Sequence, residues 1–139
     1  MAKGTQSFTI EKPKDEVYRL LSDPTAVGSC LSFVKETEDD SGLRWVVKSP
    51  MSTITSTSSL DLEFDAQPAG EIRWHGQGSH LETKGQIALK ESNEQETEVE
   101  LTLEMTGLGP MSLVIEPLAA VQIGNQIAYF AACVREKLE

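Results

Sequence analysis

One change of hydrophobic period, near residue 107, constrains the fold more than any other feature of the sequence. Before it, Val99–Met105 carries an apolar residue at every second position, which is typical of a strand with one buried face. Gly107–Pro110 then breaks the pattern. After it, apolar residues recur at helical spacing, at Ile115, Ala119, Ile123, Ile127, Phe130, Val134 and Leu138. We therefore predict a sheet followed by one long helix, which Pro117 should kink or restart because proline cannot donate to the carbonyl four residues earlier.

Two short helices are predicted directly after the first strand. Phe8 and Ile10 alternate with polar neighbours and indicate a half-buried strand. Pro13 then opens a helix, at a position where its missing N–H has no partner to lose. Asp23 follows as the N-cap of a second short helix, roughly Pro24–Leu31.

The middle of the chain reads as strands joined by turns. Phe33–Glu38, Leu43–Lys48 and Leu60–Phe64 have strand character, and Ile72–Ser79 and Ile87–Leu89 follow with the same alternation. These elements predict an α+β fold in one domain, residues 1–139. A curved antiparallel sheet of about six to seven strands would carry the two short helices after its first strand and the long C-terminal helix over its concave face.

Charge and cysteine content limit the class of protein. The chain has 12 basic and 22 acidic residues and a net charge of −10, which argues against nucleic acid as a partner. No apolar run approaches the roughly 18–20 residues of a membrane span, so we expect no stable membrane insertion. Cys30 and Cys133 are too few for a disulfide framework and are expected to be small apolar packing residues. A cytoplasmic location is the expectation.

The inward face of one strand suggests a ligand site. Trp74, Gly76 and Gly78 share this face, and glycine in a strand interior supplies no packing atoms. Two interpretations remain open: a cavity beside the tryptophan, or a bent strand packed directly against the helix. Hydroxyl and amide side chains that would face the interior complete a mostly apolar site. The candidate ligand-binding residues are Trp45, Ser56, Ser58, Trp74, Gly76, Gly78, Gln122, Asn125 and Tyr129. The last three lie on one helical side, which borders either the pocket or the solvent.

Catalytic and metal-binding motifs are missing from the sequence. It contains no nucleophile elbow, phosphate loop or paired-cysteine motif. His75, His80 and Glu82 are close in sequence but have no metal-ligand spacing, and His75 should face away from Trp74. We therefore assign no catalytic residue, no metal and no cofactor.

Several segments resemble START-like, helix-grip proteins. Phe8–Pro24 is similar to the opening of that superfamily, a strand, a proline-started helix and an Asp-Pro pair. Within it the chain is most similar to the CoxG family of carbon monoxide dehydrogenase components. Four features carry this resemblance: Cys30-Leu31 after the Asp-Pro pair, the glycine-spaced strand Ile72–Ser79, the segment Thr97–Val99, and Gly109 before the long helix.

The resemblance implies a helix-grip fold around a hydrophobic cavity. The leading hypothesis is a non-enzymatic accessory protein that holds an apolar small molecule. A polyketide cyclase or hydrolase-type enzyme with the same cavity, and a protein-interaction module, are the alternatives, because fold alone does not decide function. Besides the small molecule, the partners considered are a second copy of the chain and a dehydrogenase-type protein. The resemblance further implies that members which anchor the enzyme to a membrane carry a C-terminal hydrophobic extension; with Glu139 as the last residue of this sequence, we expect no membrane recruitment of a dehydrogenase.

Overall fold

The computed structural model describes residues 2–31, 34–37, 43–47, 59–78, 81–109 and 112–139. Seven strands and three helices follow one another in the described residues: β1 (Ala2–Ile10), α1 (Lys14–Leu21), α2 (Pro24–Ser29), β2 (Val34–Thr37), β3 (Arg44–Val47), β4 (Ser59–Gln67), β5 (Glu71–Gln77), β6 (Leu81–Asn93), β7 (Glu96–Gly107) and α3 (Ser112–Leu138). The hydroxyl-rich segment 52–58 lies outside the described residues.

The strands form one curved sheet in the order β1-β7-β6-β5-β4-β3-β2. Every pairing between the described strands is antiparallel. In β4–β7, alternate residues face a concave, apolar side, and β7 shows the strictest alternation, as its sequence predicts. The sheet, the two short helices and the C-terminal helix confirm the predicted α+β, helix-grip class.

The two short helices begin where their sequence signals place them. Pro13 is the N-cap of α1, and Asp15 and Glu16 lie in the first turn, where the helix dipole favours negative charge. Asp23 caps α2, because its Oδ1 accepts a hydrogen bond from the backbone N–H of Thr25 at 3.0 Å. α2 ends at Ser29, slightly before the predicted Leu31.

The long helix α3 packs on β1 and β7. The predicted apolar stripe is buried at Ile123, Ile127, Phe130 and Val134. Phe130 also meets Phe8 of β1 edge to face, with 6.2 Å between ring centroids. The side chains of Ile115 and Ala119, in the first half of the stripe, lie outside the described residues.

Two further contacts fasten the end of α3 to the edge strand β1. The Arg135 guanidinium donates to the Thr9 carbonyl oxygen at 3.1 Å and lies over the Phe8 ring. The backbone N–H of Glu11 donates to Glu139 Oε2 at 3.0 Å. The C-terminal turns of the helix are therefore held by polar contacts as well as by the apolar stripe.

Two expectations are corrected by the structure. α3 continues through Pro117, so of the two predicted outcomes, a kink or a restart, the restart is wrong. The proline lies near the helix start, where its missing N–H removes only the bond to the Leu113 carbonyl. Cys30 and Cys133 form a disulfide with a Cα–Cα distance of 5.4 Å, so they are not two free packing residues. Their separation of 103 positions in sequence hid this contact, which only the folded chain creates.

Candidate ligand-binding interior

Three aromatic side chains gather on the concave face of β3, β4 and β5. Trp45 meets Trp74 edge to face, with 6.1 Å between ring centroids and 63° between ring planes. Phe64 stacks on Trp74 at 6.2 Å and 10°. Both tryptophans are buried, whereas Phe64 is only half-buried. These three residues, here called the aromatic group, therefore form an apolar cluster in which Phe64 is the partly exposed member.

Gly85 of β6 determines where the Trp74 ring lies. A Cβ atom at this glycine would come within 2.0 Å of Trp74 Cζ2, so the indole rests directly on the glycine backbone. Glycine often marks a position at which another group approaches the strand closely. Sequence reasoning singled out Gly76 and Gly78 and missed Gly85, although Gly85 has the inward parity of Ile87 and Leu89.

The aromatic group contains two hydrogen-bond donors without acceptors. Nε1 of Trp45 and Nε1 of Trp74 are both buried, and neither has a hydrogen-bond partner among the residues that the structure describes. A buried donor left without an acceptor costs roughly 1–3 kcal/mol. The interior therefore has two N–H groups that an oxygen atom of a bound molecule would satisfy.

The open space expected beside Gly76 and Gly78 is filled by neighbouring atoms. A Cβ at Gly76 would lie 3.0 Å from Thr83 Cγ2, and one at Gly78 would lie 2.8 Å from the Ser59 carbonyl oxygen and 2.9 Å from Leu60 Cδ2. Hence no void lies directly beside these two glycines, and the space is filled by residues of β4 and β6 rather than by the helix, as the alternative interpretation had it. Strand β4 supplies most of the filling, which the sequence of β5 alone does not reveal.

Of the helix side chains proposed for the pocket, the two that the structure describes are exposed. Asn125 is exposed and Tyr129 keeps 49% of its surface exposed, because both lie opposite the buried stripe of α3. Gln126, which the sequence did not single out, is an amide that the helix buries, with 7% of its surface exposed. Ser56 and Ser58, as well as the side chain of Gln122, lie outside the described residues.

Ionisable groups lie on the outer face of the sheet. His75 faces away from Trp74, as strand alternation predicts, and its Nε2 lies 3.3 Å from Glu82 Oε1. His80, the third member of the cluster weighed as metal ligands, lies outside the described residues. On the concave face, the buried side chains that the structure describes in the strands are apolar or hydroxyl-bearing.

A concavity of about 420 Å³ lies on the outer face of β4–β7 and β1. Charged residues line it, and strand register places His75 opposite both Glu63 and Lys84. Glu104 lies opposite Lys84 and also pairs with Lys3, whose Nζ is 3.9 Å from Glu104 Oε1. Charges of opposite sign therefore face one another across neighbouring strands, as on a solvated sheet face, and His75 Nε2 is buried there without a hydrogen-bond partner among the described residues.

Comparison with known proteins identifies the family. The sequence profile of CoxG, described as a subunit of carbon monoxide dehydrogenase, matches residues 7–139. The chain belongs to the CoxG family. The resemblance seen in Phe8–Pro24 and in the glycine-spaced strand is thereby confirmed for this family. No functionally curated protein matches the chain in sequence.

Solved structures share the fold of this CoxG-family chain. It is similar to a START superfamily protein from Mycobacterium smegmatis, with a TM-score of 0.72 and 14% identity over 99% of this chain and 97% of that one. A conserved protein from Geobacillus kaustophilus matches with a TM-score of 0.70 and 16% identity over 97% and 93% of the two chains. The ZhuI aromatase/cyclase from Streptomyces sp. R1128 matches with a TM-score of 0.69 and 16% identity over 96% and 92%. At these identities the likeness shows the fold alone.

None of the helices that the structure describes combines the length and the apolar character that crossing a bilayer requires.

Proposed function

We propose that the chain is a non-enzymatic binding protein that holds an apolar small molecule between the sheet and α3. A lipid, a quinone or a polyketide-like molecule fits this description. The observation that carries the proposal is the aromatic group, with its half-buried Phe64 and the two unpartnered indole N–H groups. Ligand pockets combine apolar walls with a few polar groups that fix orientation. The preferred ligand is therefore largely apolar and carries an oxygen acceptor.

The chemistry of the concave face favours binding over catalysis. A cyclase or hydrolase needs a positioned acid or base beside its substrate. His75, the residue best suited to that role, lies on the outer face, and the described buried strand side chains of the concave face carry no acid or base. An enzyme of this type would require an ionisable group that the described interior does not supply.

Family membership supports an accessory role. The CoxG family is described as a component of carbon monoxide dehydrogenase, so we propose a dehydrogenase-type enzyme as the protein partner and the cytoplasm as the site of action. Mixing the purified chain with such a dehydrogenase should give a complex that elutes earlier on size exclusion than either protein. Separate elution at micromolar concentrations would contradict the proposed accessory role, and it would not bear on the proposed binding of a small molecule.

The binding role is tested by extraction and titration. Native mass spectrometry of the purified chain should show a co-purifying apolar molecule, which solvent extraction then identifies. Titration with a fluorescent fatty acid and with a short-chain quinone should quench tryptophan emission as the probe contacts the aromatic group. If neither probe binds, the small-molecule role is wrong and the protein-interaction alternative takes its place.

A conservative variant tests whether the ligand accepts a hydrogen bond from Trp74 Nε1. Trp74→Phe keeps an aromatic ring and removes the N–H, so the affinity for an oxygen-bearing probe should fall by about 5- to 10-fold, the equivalent of one hydrogen bond of roughly 1 kcal/mol or slightly more. Tyr129→Phe removes an exposed hydroxyl on the outer side of α3 and serves as the matched control, with unchanged affinity. Equal affinity of Trp74→Phe and the unmodified chain would show that the ligand does not use this donor.

A further inference from the structure

The Cys30–Cys133 disulfide joins two elements that cover opposite parts of the sheet. Cys30 directly follows α2, which packs on β2, and Cys133 lies in α3, which packs on β1 and β7. In the sheet order, β1 and β2 are the two opposite edges. The bond therefore connects the cover of one edge to the cover of the other, across the concave side.

This connection lies close to the aromatic group. A Cβ on Gly28 in α2 would be 2.8 Å from Trp45 Nε1, so α2 covers one of the two unpartnered donors. On the other side of the bond, Phe130 and Val134 of α3 are completely buried. Movement of α2 away from α3 would uncover Trp45 without first breaking the pairing of β5, β6 and β7.

We propose that the Cys30–Cys133 bond is a redox-operated latch that holds α2 and the C-terminal half of α3 together over the ligand interior. Reduction of the bond frees these two elements and speeds ligand exchange. The ligand half of this inference rests on the proposed binding function, whereas the latch itself rests on the bond and its position. A reducing compartment, which is expected from the sequence, would make the state of the bond depend on the thiol pool.

The latch opens by thiol–disulfide exchange at the Cys30–Cys133 bond. Cys133 is partly accessible and Cys30 keeps 1% of its surface exposed, so an external thiolate reaches the Cys133 sulfur first. A glutathione thiolate attacks Cys133 Sγ, forms a mixed disulfide and releases the Cys30 sulfur, which takes up a proton. A second glutathione attacks the glutathione sulfur of the mixed disulfide, releases Cys133 and forms glutathione disulfide. Two electrons pass from the two glutathione molecules to the protein disulfide.

Hydrogen exchange tests the latch without any ligand. The purified chain is equilibrated in oxidised and in reduced glutathione buffers, and alkylation followed by mass measurement gives its thiol content. Reduction should raise exchange in residues 24–31 and 126–138 by about tenfold or more, since local opening follows the loss of local restraint. Residues 84–103 of the β6–β7 hairpin are the internal control. They should stay protected when labelling is limited to seconds, because these strands exchange through slower, global unfolding, which reduction also makes more frequent. Equal protection in both buffers, or a uniform rise along the whole chain, would overturn the latch.

The rate of probe release tests whether opening of the latch speeds ligand exchange. The dissociation rate of a bound fluorescent fatty acid should rise by roughly tenfold on reduction, which corresponds to about 1.4 kcal/mol at 25 °C. A double variant, Cys30→Ala with Cys133→Ala, should release the probe at the fast rate in both buffers. Identical rates for the oxidised and reduced chain would overturn the gating role. If no probe binds, the proposed function fails, and the exchange experiment still decides whether the latch exists.

Discussion

Contact between Trp74 and Gly85 is the tightest constraint on a single residue in the interior. The indole occupies the place where any other residue would carry its Cβ. We predict that Gly85→Ala destabilises the fold by about 1–3 kcal/mol, because the added methyl group forces Trp74 from its position. Urea denaturation, followed by circular dichroism, measures this loss.

A second glycine provides the matched control. A Cβ on Gly124, in α3, would have its nearest neighbour at 3.8 Å, which is ordinary contact. Gly124→Ala should therefore stabilise the chain by roughly 0.5–1 kcal/mol, because alanine is the better helix former. If Gly85→Ala proves as stable as the unmodified chain, the Trp74 ring does not rest on the glycine.

Strand alternation predicts which face of the sheet a residue lies on, but not what fills the space beside it. Trp74 and His75 were predicted on opposite faces of one strand, and the structure places them there. Gly76 and Gly78 were placed on the Trp74 side, but the sequence left open whether the space beside them is empty or filled, and it did not indicate that strand residues fill it. Whether a glycine leaves a void depends on the neighbouring strand, and the Leu60 side chain of β4 reaches into that space. No pattern within β5 contains that information.

Among the elements, α3 depends most on one aromatic residue. Phe130 is completely buried and contacts Phe8 on β1. Phe130→Ala should destabilise the chain by about 3–5 kcal/mol, since a large cavity would open between helix and sheet. Tyr129→Ala, one position earlier and half exposed, should change the free energy of unfolding far less. Similar losses for the two variants in denaturant titration would mean that α3 is rotated.

Element types were predictable, whereas some element boundaries were not. The change of period at Gly107–Pro110 separates the sheet from α3, because strand and helix bury different spacings of side chains. β6 begins at Leu81, well before the predicted Ile87–Leu89. Its early inward positions include Thr83, whose hydroxyl donates to the Glu104 carbonyl at 3.0 Å. A buried threonine does not register as apolar in the sequence, so the alternation was hidden there.

For the whole molecule, the disulfide closes most of the chain into one loop. Its two cysteines are 103 positions apart. In the chain-entropy description, cross-linking a loop of this length reduces the freedom of the unfolded state by the equivalent of about 4–5 kcal/mol. The double variant, Cys30→Ala with Cys133→Ala, should lose stability of that order in guanidinium titration.

A redox control accompanies this measurement. Reductant should destabilise the unmodified chain to the level of the double variant and should leave the double variant unchanged. If the unfolding midpoint is the same with and without reductant, and the same for the unmodified chain and the double variant, the bond contributes nothing to stability. No sequence pattern indicates this link, because it depends on α2 and α3 meeting in the finished fold.

The contacts between the last turns of α3 and β1 have a consequence for how the protein behaves at high concentration. β1 is an edge strand, and an open edge is a template on which a strand of another molecule can add. Arg135 occupies the Thr9 carbonyl, and Glu139 occupies the N–H of Glu11 just beyond the strand. An incoming strand would have to displace both side chains before it could pair along this stretch. The end of α3 therefore disfavours edge-to-edge aggregation and strand swapping at this edge of the sheet.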